Sequence, residues 1–221
     1  KEGFQGKVYS TPPTKDFAHE LLLDSEKILS FEAKDCGEEK MYGLEEVEGL
    51  MSLWETAAYR QILKANGFEI EFYNAGHILG SSSILITEVK SGKRIVFSGD
   101  LGNPDTLFLQ PADKISQADY ALIESTYGGR IHENVQGRKS ALESVIEDTI
   151  KQGGVLIIPA FALERTQELL FELNDLVENG RIPRVPVFID SPLAIKLTSV
   201  YKKYSKDPTY FSDKAIKLLR G

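Results

Sequence analysis

The chain has a single cysteine, Cys36, so it can form no intrachain disulfide. One cysteine in 221 residues fits a reducing compartment, and the cytoplasm is the expected location. Cys36 lies in an Asp-Cys-Gly stretch without a metal-capable partner and reads as a spectator on a loop. Histidine is scarce too: His19, His77 and His132 are the whole complement. No apolar run approaches the roughly 18–20 residues needed to span a bilayer, so a helical membrane span is excluded and no membrane partner is expected. The first ten residues, KEGFQGKVYS, lack the apolar core of a signal peptide. They also lack an initiator Met, the only methionines being Met41 and Met51. That predicts a processed chain or a piece of a longer one.

What is present is ordinary globular material, 42% hydrophobic and 27% charged. The length allows one large domain or two smaller ones. Net charge is −7, which argues against a chain coated overall for nucleic acid. The charge is uneven, however. Residues 1–60 carry 7 basic and 13 acidic side chains, whereas residues 181–221 carry 9 and 3. That C-terminal stretch reads either as a solvated helical face or as a surface turned towards a polyanion.

Periodicity sets the organisation. Val8–Ser10 reads as a short strand. Pro12-Pro13-Thr14 opens a helix with Phe17, Leu21, Ile28 and Phe31 on its buried stripe. An acidic loop over 35–40 and a short helix over 44–54 follow. Residues 68–73, FEIEFY, alternate with period two. Residues 83–89 and 94–97 form a hairpin around Ser91-Gly92-Lys93. Residues 95–97 and 120–123 are continuous apolar runs, as expected of strands covered on both faces. After Glu124 the pattern changes to helix 138–151, strand 155–158, helix 161–178, strand 186–189 and a helix opened by Ser191-Pro192. The second of these helices carries Leu163, Thr166, Leu170, Leu173 and Val177 near one face. This run implies a parallel α/β unit.

Two motifs carry chemistry. In NAGHILGSSS (74–83), His77 sits just past a strand between Gly76 and Gly80, where glycine permits sharp turns and close backbone approach. A lone His of this kind is more often structural. In SGDLG (98–102), Asp100 ends an apolar strand between two glycines, and a carboxylate at such a rim needs compensation from a turn, a cap or a metal. The pair is stronger than its parts, because strand ends on one sheet edge converge and two such side chains can share an ion.

AGHILGS, then SGDLG, then ADYALIESTYGGR (118–130), IPAFALERTQELL (158–170) and IDSPLA (189–194) together resemble the β-CASP family, nucleases on the metallo-β-lactamase fold. The resemblance covers about residues 8–221 in order, and it is the ordered set that is specific. It implies an α/β chain: part of a metallo-β-lactamase αββα sandwich over 1–126, followed by part of a β-CASP parallel α/β cap domain over 127–221. It implies His77 as a metal ligand, Asp100 as the bridging ligand, and Glu124 as the acidic residue supporting a proton-transfer His. The bland reading of Glu124 is a strand-end carboxylate that caps the turn. Arg130 and Arg165 suit phosphate, since guanidinium matches phosphate geometry; Arg165 also lies near a helix N-terminus in a strand–loop–helix unit. Either Arg reads equally as a surface ion-pair partner. Thr126 and Ser125 bind substrate or simply form the turn. His132 reaches the cleft or stays a loop residue, and His19 reads as non-functional.

The family's HxHxDH metal signature is absent, as are its last ligand His and its proton-donor His. The chain is therefore expected to be a central fragment, binding metal weakly or not at all by itself. In its full-length form the resemblance implies a ribonuclease with two Zn²⁺ ions cleaving single-stranded RNA, with the α/β insertion forming a cap that brings the basic 181–221 segment towards the strand. A homodimer is compatible with it. Two other classes stay open: a non-catalytic RNA-binding scaffold of the same family, and a small-ester or thioester metallohydrolase. The STYG-linked insertion argues against the latter.

Overall fold

A computed structural model describes residues 3–37, 39–103, 108–130 and 137–218, a mixed α/β arrangement. Strand β1 (Val8–Ser10) runs parallel to β2 (Trp54–Thr56) in a separate two-stranded ladder. Helix α1 (Pro12–Cys36) begins with its prolines in the first two positions, where a missing N–H costs nothing. It ends at Gly37, whose φ of 72° gives the left-handed cap. Two expectations fail here. Helix α1 continues through the start of the stretch expected to be a loop, because Glu, Ala and Lys are good helix formers, and Cys36 is its last, exposed residue. Its buried stripe holds only in the first half. Phe17 is buried, whereas Ile28 and Phe31 are 53% and 73% exposed, because the far end of the helix extends past the core. Helix α2 (Leu44–Ser52) follows, with the Gly43 N–H donating to Glu46 Oε2 at 2.7 Å.

The main sheet has the order β3 (Leu63–Ala65), β4 (Phe68–Asn74), β5 (Ser82–Glu88), β6 (Arg94–Phe97), β7 (Tyr120–Leu122). The first three ladders are antiparallel and β6–β7 is parallel. The β5–β6 hairpin turns at Gly92, with the Glu88 N–H on Lys93 O at 2.9 Å. Register places Phe72, Ile84, Phe97 and Leu122 in one row and Ile70, Ile86, Ile95 and Tyr120 in the next, all on one face. That face is covered at Phe72 but open towards β7, where Leu122 and Tyr120 are 52% and 60% exposed. The expectation that β7 is covered on both sides therefore does not hold among the described residues.

In the C-terminal half, helices α3 (Gly137–Lys151), α4 (Arg165–Glu178), α5 (Pro192–Tyr204) and α6 (Asp213–Leu218) form. Ser191 caps α5 as expected, its Oγ accepting the Ala194 N–H at 3.2 Å. The strands expected at 155–158 and 186–189 join no ladder among the described residues. Val155 and Phe188 are 87% and 88% exposed. The difference is physical: a helix satisfies its own backbone, whereas a strand exists only beside a partner. Helix α4 starts four residues later than expected; its fully buried residues are Gln167, Phe171, Asp175 and Leu176, while Leu173 and Val177 of the expected stripe pack half-buried against a second cluster of Ile146, Leu176 and Ile182. Leu170, Leu173 and Val177 from that stripe line an open apolar groove with Val185 and Val187.

One core joins the two halves. It includes Phe17 of α1, Leu79, Phe108, Phe171 of α4, Leu197 and Tyr201 of α5, and Phe211. Phe108 stacks on Tyr201 with rings 5.8 Å apart and meets Phe211 edge-on at 5.4 Å. Side chains of this size contribute roughly 1.5–3 kcal/mol each when fully buried, so the core fixes the Leu79 loop against α1, α4 and α5. Asp16 adds polar ties, accepting from Lys203 at 2.6 Å and from the Tyr204 hydroxyl at 2.7 Å. No helix among the described residues is long and apolar enough to cross a membrane.

Candidate active site

The loop between β4 and β5 carries His77, and several groups build it. Asn74 opens an Asx turn, its Oδ1 accepting the Gly76 N–H at 2.9 Å. Its amide group donates to the carbonyls of Gln110 and Pro111, and its backbone N–H donates to Asp113. Ser81 Oγ accepts the N–H groups of both His77 and Ile78, at 3.1 and 3.2 Å. The Tyr59 hydroxyl donates to Ser81 O at 2.9 Å, and burial raises that phenol's pKa far above its ordinary value. On the other side, Thr11 and Thr14 at the start of α1 donate to Gly80 O at 2.7 and 3.1 Å.

The loop of Asp100 meets this loop backbone to backbone. The Gly102 N–H donates to Ala75 O at 2.9 Å. A Cβ placed on Gly102 would lie 1.6 Å from Gly76 O and 2.7 Å from the His77 nitrogen, so only glycine fits at the crossing. The pairing of strand ends read from the sequence is thus realised in space.

Glu124 joins them from the end of β7. Its Oε1 accepts the Leu101 N–H at 3.0 Å and its Oε2 accepts the Thr126 N–H at 3.2 Å, while its own N–H donates to Ser98 Oγ at 3.0 Å. The Leu101 N–H first, then the Thr126 hydroxyl and N–H, hold this carboxyl below the usual glutamate range, and the nearby His77 adds to the effect. Both Glu124 oxygens are therefore committed to the Asp100 loop and the STYG turn, as the capping reading expects. This engagement also suits a carboxylate that orients its neighbours.

His77 and Asp100 are both exposed. An imidazole and a carboxylate on touching loops are suitable donors for zinc. Two donors fall short of a site, and among the described residues no group of three or more His, Cys, Asp or Glu is arranged to hold an ion. Metal at this rim would need further ligands from outside the described residues.

The other expected residues divide. Thr126 contacts Glu124, and Ser125 forms the turn, its carbonyl accepting the Gly128 N–H at 3.0 Å. Arg130 is exposed just beyond that turn. Arg165 pairs with Glu168 at 2.6 Å, which is the ion-pair reading. His132 lies outside the described residues. His19 pairs with Glu48 on the surface, away from this chemistry. Of the nine basic side chains in 181–221, Arg181, Arg184, Lys196, Lys203 and Lys214 are ion-paired within the chain, which favours the solvated-face reading. Sequence reasoning assigned no role to Asn74, Tyr59, Ser81 or Ser98. Only Asn74 carried a signal, an Asn two residues before a glycine.

A Beta-Casp domain model matches residues 166–217. The chain is 32% identical over 213 residues to a Thermus thermophilus protein named a ribonuclease, covering 96% of this chain and 46% of that protein. It is 37% identical over 206 residues to an RNase J-like protein of Methanocaldococcus jannaschii, covering 90% and 45%. It is 32% identical over 206 residues to the cleavage and polyadenylation specificity factor subunit 3 of Dictyostelium discoideum, covering 92% and 26%. The chain thus spans a quarter to a half of the length of these relatives. With its motifs in order, its touching His77 and Asp100 loops and these matches, the chain is similar over nearly its whole length to proteins of the β-CASP family, and residues 166–217 match that family's domain.

Proposed function

We propose that this chain supplies part of the active site of a metal-dependent ribonuclease, with His77 and Asp100 as ligands and Glu124 as the carboxylate that orders them. The observation that carries the reading is the convergence of the two loops and Glu124 at one end of the sheet, made by backbone contacts that leave both ligand side chains exposed. The names of the relatives, a ribonuclease and a cleavage and polyadenylation specificity factor subunit among them, support RNA as substrate. Single-stranded RNA is the form proposed, with Arg130, exposed just beyond the STYG turn, as a phosphate contact. The domain division at 126/127 and the cytoplasmic location belong to the same proposal.

Two zinc ions, when bound, would supply Lewis acidity and a water acidic enough to ionise near neutral pH. The chain's own residues do the rest. His77 and Asp100 hold the ligand positions, at a spacing set by the Gly102–Gly76 crossing. Glu124 stays ionised through the neutral range, because its bonds from Leu101 and Thr126 favour the charged form. It is therefore no proton donor itself; it fixes the Asp100 loop and presents negative charge to His77 or to a protonated His nearby.

The test is cleavage of a labelled single-stranded RNA by the full-length protein carrying this chain. Asp100→Ala is expected to lower kcat by about 10²–10³-fold, the scale of losing a principal electrostatic group. Equal activity in the two proteins would sink the ligand assignment. A scaffold role would show as RNA binding without cleavage in the unmutated protein.

A further inference from the structure

Glu164 stands in an unusual backbone conformation, with φ 67° and ψ −62°. The Arg165 N–H donates back to Leu163 O at 2.9 Å, which makes Glu164 the centre of a γ-turn of the rare, strained hand. Glycine would sit there freely, whereas a residue with a side chain is strained in that position. The surrounding bonds over-determine it. Thr166 donates through both N–H and Oγ1 to Phe161 O, at 3.3 and 2.8 Å. Gln167 reaches from the next turn to Ala162 O at 3.1 Å and to Thr198 Oγ1 on α5 at 2.8 Å.

The strained turn directs the carboxyl inwards. It takes the Tyr201 hydroxyl of α5 and faces the backbone N–H of Leu79. Leu79 is 1% exposed and sits two residues after His77 on the same loop. Burial pushes the Glu164 carboxyl up to about 8, with Glu168 raising it further and Tyr201, Arg165 and Leu79 opposing. A largely buried acid at a strained position is costly to keep, and its contacts are what it gains. Among the described residues, those contacts join α4 and α5 to the His77 loop and to no other part of the candidate site.

We propose that Glu164 is a positioning residue, a latch between the two cap helices and the loop that carries His77, and that it sets where His77 stands. The metal part of this inference rests on the ligand reading above, whereas the mechanical part does not.

Three variants of the full-length protein test it. Glu164→Gly removes the latch and relieves the turn, so the fold is expected to survive. Glu164→Gln keeps a carbonyl for the Leu79 N–H and a polar partner for Tyr201. His77→Ala reports on the ligand assignment alone. In Glu164→Gly, amide hydrogen exchange at residues 77–81 is expected to rise about tenfold or more, while β4 and β5 keep their protection. Affinity for zinc chloride is expected to fall about tenfold, as when an outer partner of a ligand is lost. Glu164→Gln should restore both. Unchanged exchange at 77–81 in Glu164→Gly overturns the latch, as does a rise shared equally with β4 and β5. If His77→Ala leaves zinc affinity unaltered, the ligand reading fails while the exchange result still decides the latch.

Discussion

Glu164 and Glu124 show how environment assigns opposite tasks to one side-chain type. Glu124 lies among backbone donors and is held ionised. Glu164 is enclosed and is pushed up to about 8 from an ordinary 4.5. A carboxyl whose folded pKa is raised binds its proton more tightly in the folded state. Its contribution is therefore complete below about pH 4.5, declines as pH rises and is lost by about pH 8. A tenfold difference in proton affinity between the folded and unfolded states is worth about 1.4 kcal/mol, so the whole effect is on the order of a few kcal/mol. Denaturant midpoints measured between those limits should fall with pH in the unmodified protein. In Glu164→Gln that part of the slope should vanish, and an unchanged slope would show that the group does not titrate as argued. At this scale the sequence was partly legible. His77, Asp100 and Glu124 stand out because glycines and strand ends mark them. Tyr59 does not, because its role arises from a contact over 22 positions that no local pattern encodes. Glu164 sits inside one of the family motifs, yet nothing in the letters FALERTQ reveals its left-handed backbone.

Among the elements, caps and turns followed local chemistry closely. The Ser91-Gly92-Lys93 turn, the prolines opening α1 and the Ser191 cap of α5 all stand where the residue types place them. Helix α5 matters beyond itself, since it presents Tyr201 to Glu164. Ser191→Ala removes the acceptor for the Ala194 N–H and should cost about 1 kcal/mol, read as a lower thermal midpoint. A loss near zero would mean that water replaces the cap without penalty. The start of α4 was not legible for the reason already met: a helical pattern over 161–178 cannot show that one residue in its first turn is bent into a γ-turn. The strands over 155–158 and 186–189 had the right residues, but strand formation depends on a neighbour supplied by tertiary structure.

For the whole molecule, apolar patterning outruns the partners present among the described residues. Tyr120, Leu122 and Ile123 at the β7 edge, and Val155, Ile157, Phe161 and Phe188 in the C-terminal half, are all more than half exposed. Monomers seldom expose so much large apolar surface. The 221-residue chain expressed alone is expected to bind a hydrophobic dye strongly and to self-associate with rising concentration. Weak dye binding together with a mass independent of concentration would show that this surface is covered. The charge pattern taught the reverse lesson. The basic C-terminal stretch reads equally as a solvated face or as a surface for a polyanion, and five of its nine cations are engaged by acids that the sequence places elsewhere, Glu20 and Asp16 on α1 among them.

The Gly102–Gly76 crossing has a mechanical meaning. Loops that meet through side chains have slack, because a rotamer can change and absorb a displacement. Here main chain rests on main chain, held by the Gly102–Ala75 bond, and nothing compressible lies between. The two loops therefore travel as one body. Any motion of helices α4 and α5 that reaches Leu79 is delivered to the backbone of Asp100 as well as to that of His77, so the two loops keep their separation even when the pair shifts against the rest of the sheet.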